Sequence, residues 1–209
     1  MKKLIVKFFV ATGFVAFLTS ANAQIGVRIG ANLANASVSD SEDATFKMRP
    51  GFSAGVFYQI KSGSLTIQPE INFAQQGTKF ELDILGTKAE TNFTMNYIQI
   101  PILVKYGFGD MEKLNFFVQA GPYLGMGIGK AKGETCVGSD CETDETEYGS
   151  GEDQIKNPDF GAQLGAGVNI NKNISVDVRY VLGLSNLVNA DEDSSWKNNA
   201  INIGVGYKF

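Results

Sequence analysis

The sequence predicts an all-β chain: an eight-stranded antiparallel up-and-down transmembrane β-barrel over residues 24–209, behind a cleavable signal peptide at 1–23. Three observations carry this expectation. Apolar residues recur with a period of two through eight segments, which is the strand period. The connections between those segments alternate between short and long. The chain also opens with a basic, then apolar, then small-residue pattern typical of export.

The N-terminal pattern comes first in chain order. Lys2, Lys3 and Lys7 precede an almost wholly apolar run from Leu4 to Leu18, and Ala21-Asn22-Ala23 supplies a small-x-small cleavage motif. The run is too short to span a bilayer as a helix, which takes about 20 apolar residues. The expected mature chain therefore begins at Gln24 and lies beyond the inner membrane.

Each strand then shows two unlike faces. Residues 25–34 set Ile25, Val27, Ile29 and Leu33 against Gly26, Arg28, Gly30 and Asn32. Residues 51–60 oppose Phe52, Val56 and Tyr58 to Ser53, Gly55 and Gln59, and 65–76 oppose Leu65, Ile67, Ile71 and Phe73 to Thr66, Gln68, Glu70 and Asn72. In 93–108 the even positions Ile98 to Phe108 are apolar opposite Gln99 and Lys105. Segments 114–128 and 159–170 alternate likewise, with Phe116, Val118, Phe160 and Leu164 on the apolar side. In 174–184, Ile174, Val176, Val178 and Tyr180 face away from Ser175, Asp177 and Arg179. The last strand, 201–209, sets Ile201, Ile203, Val205, Tyr207 and Phe209 against Asn202, Gly204, Gly206 and Lys208. A helix would scatter these sets over all faces; a strand separates them.

The links at 61–64, 109–113 and 171–173 read as tight turns, and those at 35–50, 77–92, 129–158 and 186–198 as long polar loops. Short periplasmic turns and longer external loops are the outer-membrane pattern. An even strand count leaves both barrel ends on the periplasmic side.

The apolar faces are bulky and continuous, whereas the opposite faces carry Gly, Asn, Gln and charge and would make a poor dry core. The apolar face is therefore assigned to lipid. The lumen then receives Arg28, Glu70, Lys105, Asp177, Arg179 and Lys208. Eight strands leave barely more room than side chains fill, and buried charge demands partners. A paired polar plug is expected, with a small gated pore as the alternative. Aromatics near the strand ends are expected at the lipid–water boundary: Tyr58, Tyr106, Phe108, Phe116, Tyr207 and Phe209 on the periplasmic side, and Phe73, Phe93, Phe160 and Trp196 outside.

Cys136 and Cys141 bracket part of an acidic loop and are expected to form a local disulfide in an exported chain, two free thiols being the alternative. With no histidine, two thiolates do not complete a tetrahedral zinc site, so no metal and no cofactor is expected. Removing the signal takes away three of 18 basic residues and none of 22 acidic ones, leaving 15 against 22, a net charge of −7. That balance disfavours nucleic acid as a partner, since phosphate neutralisation needs clustered cations.

Several short motifs, in order, resemble the PorT-like outer-membrane β-barrel family of the Bacteroidetes type. They are Gly26-Val27-Arg28-Ile29-Gly30-Ala31-Asn32, Gly51-Phe52-Ser53-Ala54-Gly55, Gln68-Pro69-Glu70-Ile71 and Asn96-Tyr97-Ile98-Gln99-Ile100-Pro101. Ala120-Gly121-Pro122-Tyr123, Gly165-Ala166-Gly167, Arg179-Tyr180 and the closing Gly206-Tyr207-Lys208-Phe209 follow. The resemblance implies fold and location in the bacterial outer membrane. The C-terminal aromatic Phe209 resembles the signal that barrel-assembly machinery reads. Some relatives serve in secretion, and nothing in these residues assigns that role.

The expected function is a small structural or surface-interaction barrel, with outer-membrane lipid around it and an extracellular or periplasmic partner yet to be identified. External loops on a rigid scaffold commonly carry recognition. The acidic loop with Glu134, Asp140, Glu142, Asp144, Glu145, Glu147, Glu152 and Asp153 reads as a solvated surface, a cation-bridging role being the sharper alternative. An accessory role in secretion and a narrow channel remain open. A hydrolase is disfavoured, because without histidine the common Ser-His machinery cannot be assembled.

Overall fold

The computed structural model describes residues 23–38, 45–84, 87–109, 114–151, 153–188 and 195–209. The expected signal segment lies outside these, apart from Ala23, as do the acidic residues Glu152, Asp191, Glu192 and Asp193 and most of the turn at 109–113.

Thirteen strands are described: β1 (Ala23–Val38), β2 (Thr45–Lys47), β3 (Arg49–Ser62), β4 (Leu65–Ile84), β5 (Thr87–Phe108), β6 (Asn115–Gly127), β7 (Ala131–Val137), β8 (Asp140–Thr146), β9 (Tyr148–Gly149), β10 (Ile155–Lys156), β11 (Asp159–Asn169), β12 (Ile174–Gly183) and β13 (Trp196–Lys208). Eight of them form the wall. Antiparallel pairing runs β1–β3–β4–β5–β6–β11–β12–β13, and β13 pairs back onto β1. Among the described residues this ring has no free edge, the condition for crossing lipid with strands, whose main-chain polar groups need partners in neighbouring strands.

The turns follow local chemistry. β3 and β4 meet through a two-residue turn in which Gly63 has φ 60°, as primed hairpin turns require. Between β11 and β12, the Asn171 side-chain oxygen accepts from the backbone N–H groups of Asn173 and Ile174, each at 2.8 Å. Such a local cap is why Asn marks a turn.

The two faces of the wall separate as the alternation predicts. Ile29 is 65% exposed, Phe116 58% and Phe160 54%, while Asp177 and Arg179 on the opposite side are each 2% exposed. Outward positions stay apolar from Ile98 to Phe108 on β5 and from Leu65 to Phe73 on β4. That is the length of 9–11 residues which a tilted membrane strand uses.

The long links depart from expectation. Much of what reads as polar loop at 35–50, 77–92, 129–158 and 186–198 is strand. β4 and β5 stay paired to Ile84 and Thr87, and β7 and β8 form a further hairpin alongside the upper part of β5. Above the row where Phe73 opposes Ile98, the outward residues become Gln75, Gly77, Lys79 and Glu81. Once outside lipid, the outer face needs no apolar side chains, so the hydrophobic alternation stops while main-chain pairing continues. About ten further residues per strand, at about 3.3 Å each, carry this hairpin well beyond the membrane.

Candidate functional site

The lumen holds a cluster of ionisable groups, and the alternation of the strands delivers them there. Arg28 on β1 grips Asp177 on β12 with two bonds, from Nη2 at 2.6 Å and from Nε at 3.2 Å. Arg179, two residues along β12, donates to Asp177 through Nε at 2.8 Å. It also forks onto Glu70 of β4 at 2.8 and 3.0 Å. Bidentate guanidinium–carboxylate pairs are the strong class of charged hydrogen bond. Two arginines against two carboxylates leave this cluster neutral. Gln68 also donates to Glu70, and Asn72 donates to it at 2.7 Å. Arg28 donates to Asn202, which in turn donates to Asn32 and, at 2.8 Å, to Ser53.

The cluster blocks the tube. The space beside Arg28, Arg179, Asn202 and Gln163 amounts to about 20 Å³, room for about one water. Toward the outside a second seal follows. Met95, Tyr97, Ala131 and Leu187 form a buried apolar cluster, with Phe93, Tyr148, Ile155 and Trp196 packed against it. Phe93 meets Trp196 at 5.0 Å between ring centroids, and Tyr97 meets Tyr148 at 5.7 Å. Burial pushes the Tyr148 hydroxyl up to about 12, and that hydroxyl bonds the backbone of Asn96.

This second seal corrects one expectation. Phe93 and Trp196 do not belong to a lipid-facing belt. Phe93 has the parity of Met95, Tyr97 and Gln99, and Trp196 that of Asn198, Asn202 and Lys208, so both rings turn inward over the mouth. Phe73 does face outward, stacked on Phe52 at 5.2 Å. Strand parity, applied without stopping at the membrane boundary, is the signal that locates these rings. It also locates Asn32, Ser53, Gln68, Asn198 and Asn202, inward residues that a search for charge alone passes over. Asp159 belongs with them: it is 0% exposed and is bonded by Tyr123 at 3.2 Å, Asn198 at 3.3 Å and Ser185.

The remaining two lumen lysines stand apart from the arginine–carboxylate cluster. Lys105 donates to Gln68 at 3.0 Å and lies 4.0 Å from the centre of the Phe117 ring. Lys208 donates to Asn169 at 3.1 Å. Phe209, next along, is 70% exposed; its N–H donates to the Ile25 carbonyl and its ring meets Tyr207 edge-on at 5.3 Å.

On the outside, β7 and β8 turn at Gly138, whose φ is 63°, and the register places Cys136 directly opposite Cys141. The two form a disulfide. Glu134 lies within 4.8 Å of both sulfurs, yet with the sulfurs joined to each other only one exposed carboxylate is left to a cation there. Lys130 and Lys132 pair with Glu145 at 3.3 and 3.6 Å. Lys47 pairs with Glu81 at 2.5 Å, and Lys79 pairs with Glu90.

Comparison with solved structures gives outer-membrane proteins of low identity. The attachment invasion locus protein Ail of Yersinia pestis is 16% identical, with 90% of this chain and 99% of that one covered and a TM-score of 0.48. Neisserial surface protein A is also 16% identical over the same shares, with a TM-score of 0.45. OprG of Pseudomonas aeruginosa is 10% identical, covering 90% and 96%, with a TM-score of 0.44. No curated protein matches the chain in sequence. Residues 18–189 match the outer membrane protein beta-barrel domain, and the chain accordingly belongs to that family and resides in the bacterial outer membrane.

Proposed function

We propose that this is a structural, surface-interaction barrel of the PorT-like branch, which presents its external hairpins to a partner and conducts nothing large. One observation carries the reading: the arginine–carboxylate cluster fills the mid-lumen and leaves about 20 Å³ beside it. A large partner is therefore met at the surface beyond the membrane. There the β4–β5 and β7–β8 hairpins form a paired, disulfide-tied sheet, and rigid presentation lowers the ordering cost of binding. The motifs from Gly26 to Asn32 and from Asn96 to Pro101 support the PorT-like assignment. The lack of histidine supports a non-enzymatic role. Phe209, exposed at the end of β13, fits a signal for barrel-assembly machinery.

Two measurements test this. In planar bilayers the purified barrel should give little or no conductance, and a steady large channel would overturn the sealed-lumen reading. Affinity capture from surface extracts with the 129–158 segment intact, or replaced by a short turn, should lose partners only in the second case. Identical capture by both forms removes the hairpin from the reading.

A further inference from the structure

Below the arginine–carboxylate cluster the lumen opens toward the periplasm into a cavity of about 250 Å³. Its chemistry is one-sided. Lys61, Lys105, Lys172 and Lys208 line it, and no described lining residue is a carboxylate. This is unexpected in a chain with 22 acidic and 18 basic residues. Lys105 and Lys208 are 5% and 2% exposed, and neither forms an ion pair with a described residue. Each ammonium has three donors, and a single amide oxygen accepts from each. Glu70 and Asp177, the nearest carboxylates up the lumen, already hold the arginines. Buried cations without a counter-charge are costly, and an anion in the cavity removes that cost.

A second observation narrows the anion. Gln59 is 3% exposed and lines the same cavity. Its amide nitrogen donates to Gln68 at 2.5 Å, and Gln68 in turn donates to Glu70. Because a carboxylate can only accept, this relay fixes which way both amides point. The Gln59 Oε1 is thereby left without a partner, as is the buried Oε1 of Gln24 in the same lining. Two acceptors beside the buried ammonium groups of Lys105 and Lys208, with Lys61 at the rim, fit an oxyanion that also carries a proton.

We propose that this periplasmic vestibule binds a protonated phosphate: the lysines take the charged oxygens, and the glutamine carbonyl oxygens accept the P–OH. At about 30 Å³ per water, the cavity holds such an ion with part of its hydration shell. The mid-lumen cluster closes the inner end, so the ion enters and leaves by the same mouth. The same phosphate chemistry exists on phospholipid headgroups, but a phosphodiester has no P–OH, and Lys105 and Lys208 lie inside the wall rather than on its lipid face.

The test is calorimetric titration of the folded barrel in phospholipid-free maltoside micelles, with inorganic phosphate and with sulfate as the oxyanion lacking a proton at neutral pH. Phosphate should bind saturably and more tightly than sulfate, and the Gln59 side-chain amide resonance should shift with it. Lys61→Gln and Lys208→Gln should each weaken phosphate by about tenfold, the loss of one charged hydrogen bond. Lys132→Gln on the external hairpin should leave binding unchanged. Lys61 sits at the rim, so its variant keeps the test open should Lys208→Gln fail to fold, as judged by heat-modifiable gel mobility. Three results overturn the proposal: no saturable phosphate binding, equal binding of sulfate, or lysine-dependent binding that appears only in nanodiscs containing phosphatidylglycerol.

Discussion

Replacing Arg179 with Met removes three charged hydrogen bonds at once, two to Glu70 and one to Asp177. At about 1.5–3 kcal/mol each they would sum to more than the site can lose, because both carboxylates keep other donors. Asn72 and Gln68 still reach Glu70, and Arg28 still grips Asp177. What remains is one carboxylate in excess, held inside the wall at 2% exposure. Breaking a buried pair by removing one partner costs about 3–5 kcal/mol, and Arg179→Met is expected near the middle of that range. Glu70→Met combined with Arg179→Met removes both charges, and the double variant should recover most of the loss, since replacing a whole buried pair is often close to neutral. Urea unfolding in lipid vesicles, followed by fluorescence of the single tryptophan Trp196, measures both. A single variant within about 1 kcal/mol of the parent, or a double variant no more stable than the single, would refute the argument that lumen pairing holds the wall.

Three further outcomes are expected. A methyl group on Gly204 would sit 2.2 Å from the Arg28 Nη2, so Gly204→Ala should push that guanidinium off Asp177 and cost about 1–3 kcal/mol in the same unfolding assay; an unchanged midpoint contradicts the packing. Val178 faces lipid at 48% exposure, one residue from the mid-lumen Arg179, and Val178→Arg should destabilise by about 2–4 kcal/mol; no loss would mean this face does not meet acyl chains. On the external hairpin, hydrogen bonds from Lys47 and Lys79 hold the Glu81 and Glu90 carboxyls below their usual range. Since the folded values are depressed, these pairs contribute above the unfolded value of about 4.3 and are lost as pH falls through the folded ones. Amide exchange protection around residues 79–90 should therefore hold from neutral pH to pH of about 5 and drop below about 4; a drop already present between neutrality and pH of about 5 contradicts this assignment.

The wall was legible because lipid imposes a rule that each strand obeys locally. Every second residue meets hydrocarbon, so Ile174, Val176 and Val178 declare their side without reference to the rest of the chain. Where that rule stops acting, legibility stops too. Thr78 to Ile84 and Thr87 to Thr94 are strand, but water accepts polar side chains on their outer face, and the pattern that marks a strand inside lipid disappears. For Phe93 and Trp196 aromatic identity suggests a boundary ring, whereas parity sends them inward.

Within the membrane-spanning part of the wall, the sequence by itself determined which residues face lipid, which face the lumen, and that the chain crosses as strands, because alternation is a property of neighbours along the chain. Only the tertiary structure decided who meets whom inside. Arg28 and Asp177 are 149 residues apart and Glu70 and Arg179 are 109 apart. Their meeting depends on the register of the eight pairings around the ring, the closure of β1 against β13 included, a long-range geometry to which no local stretch of residues responds.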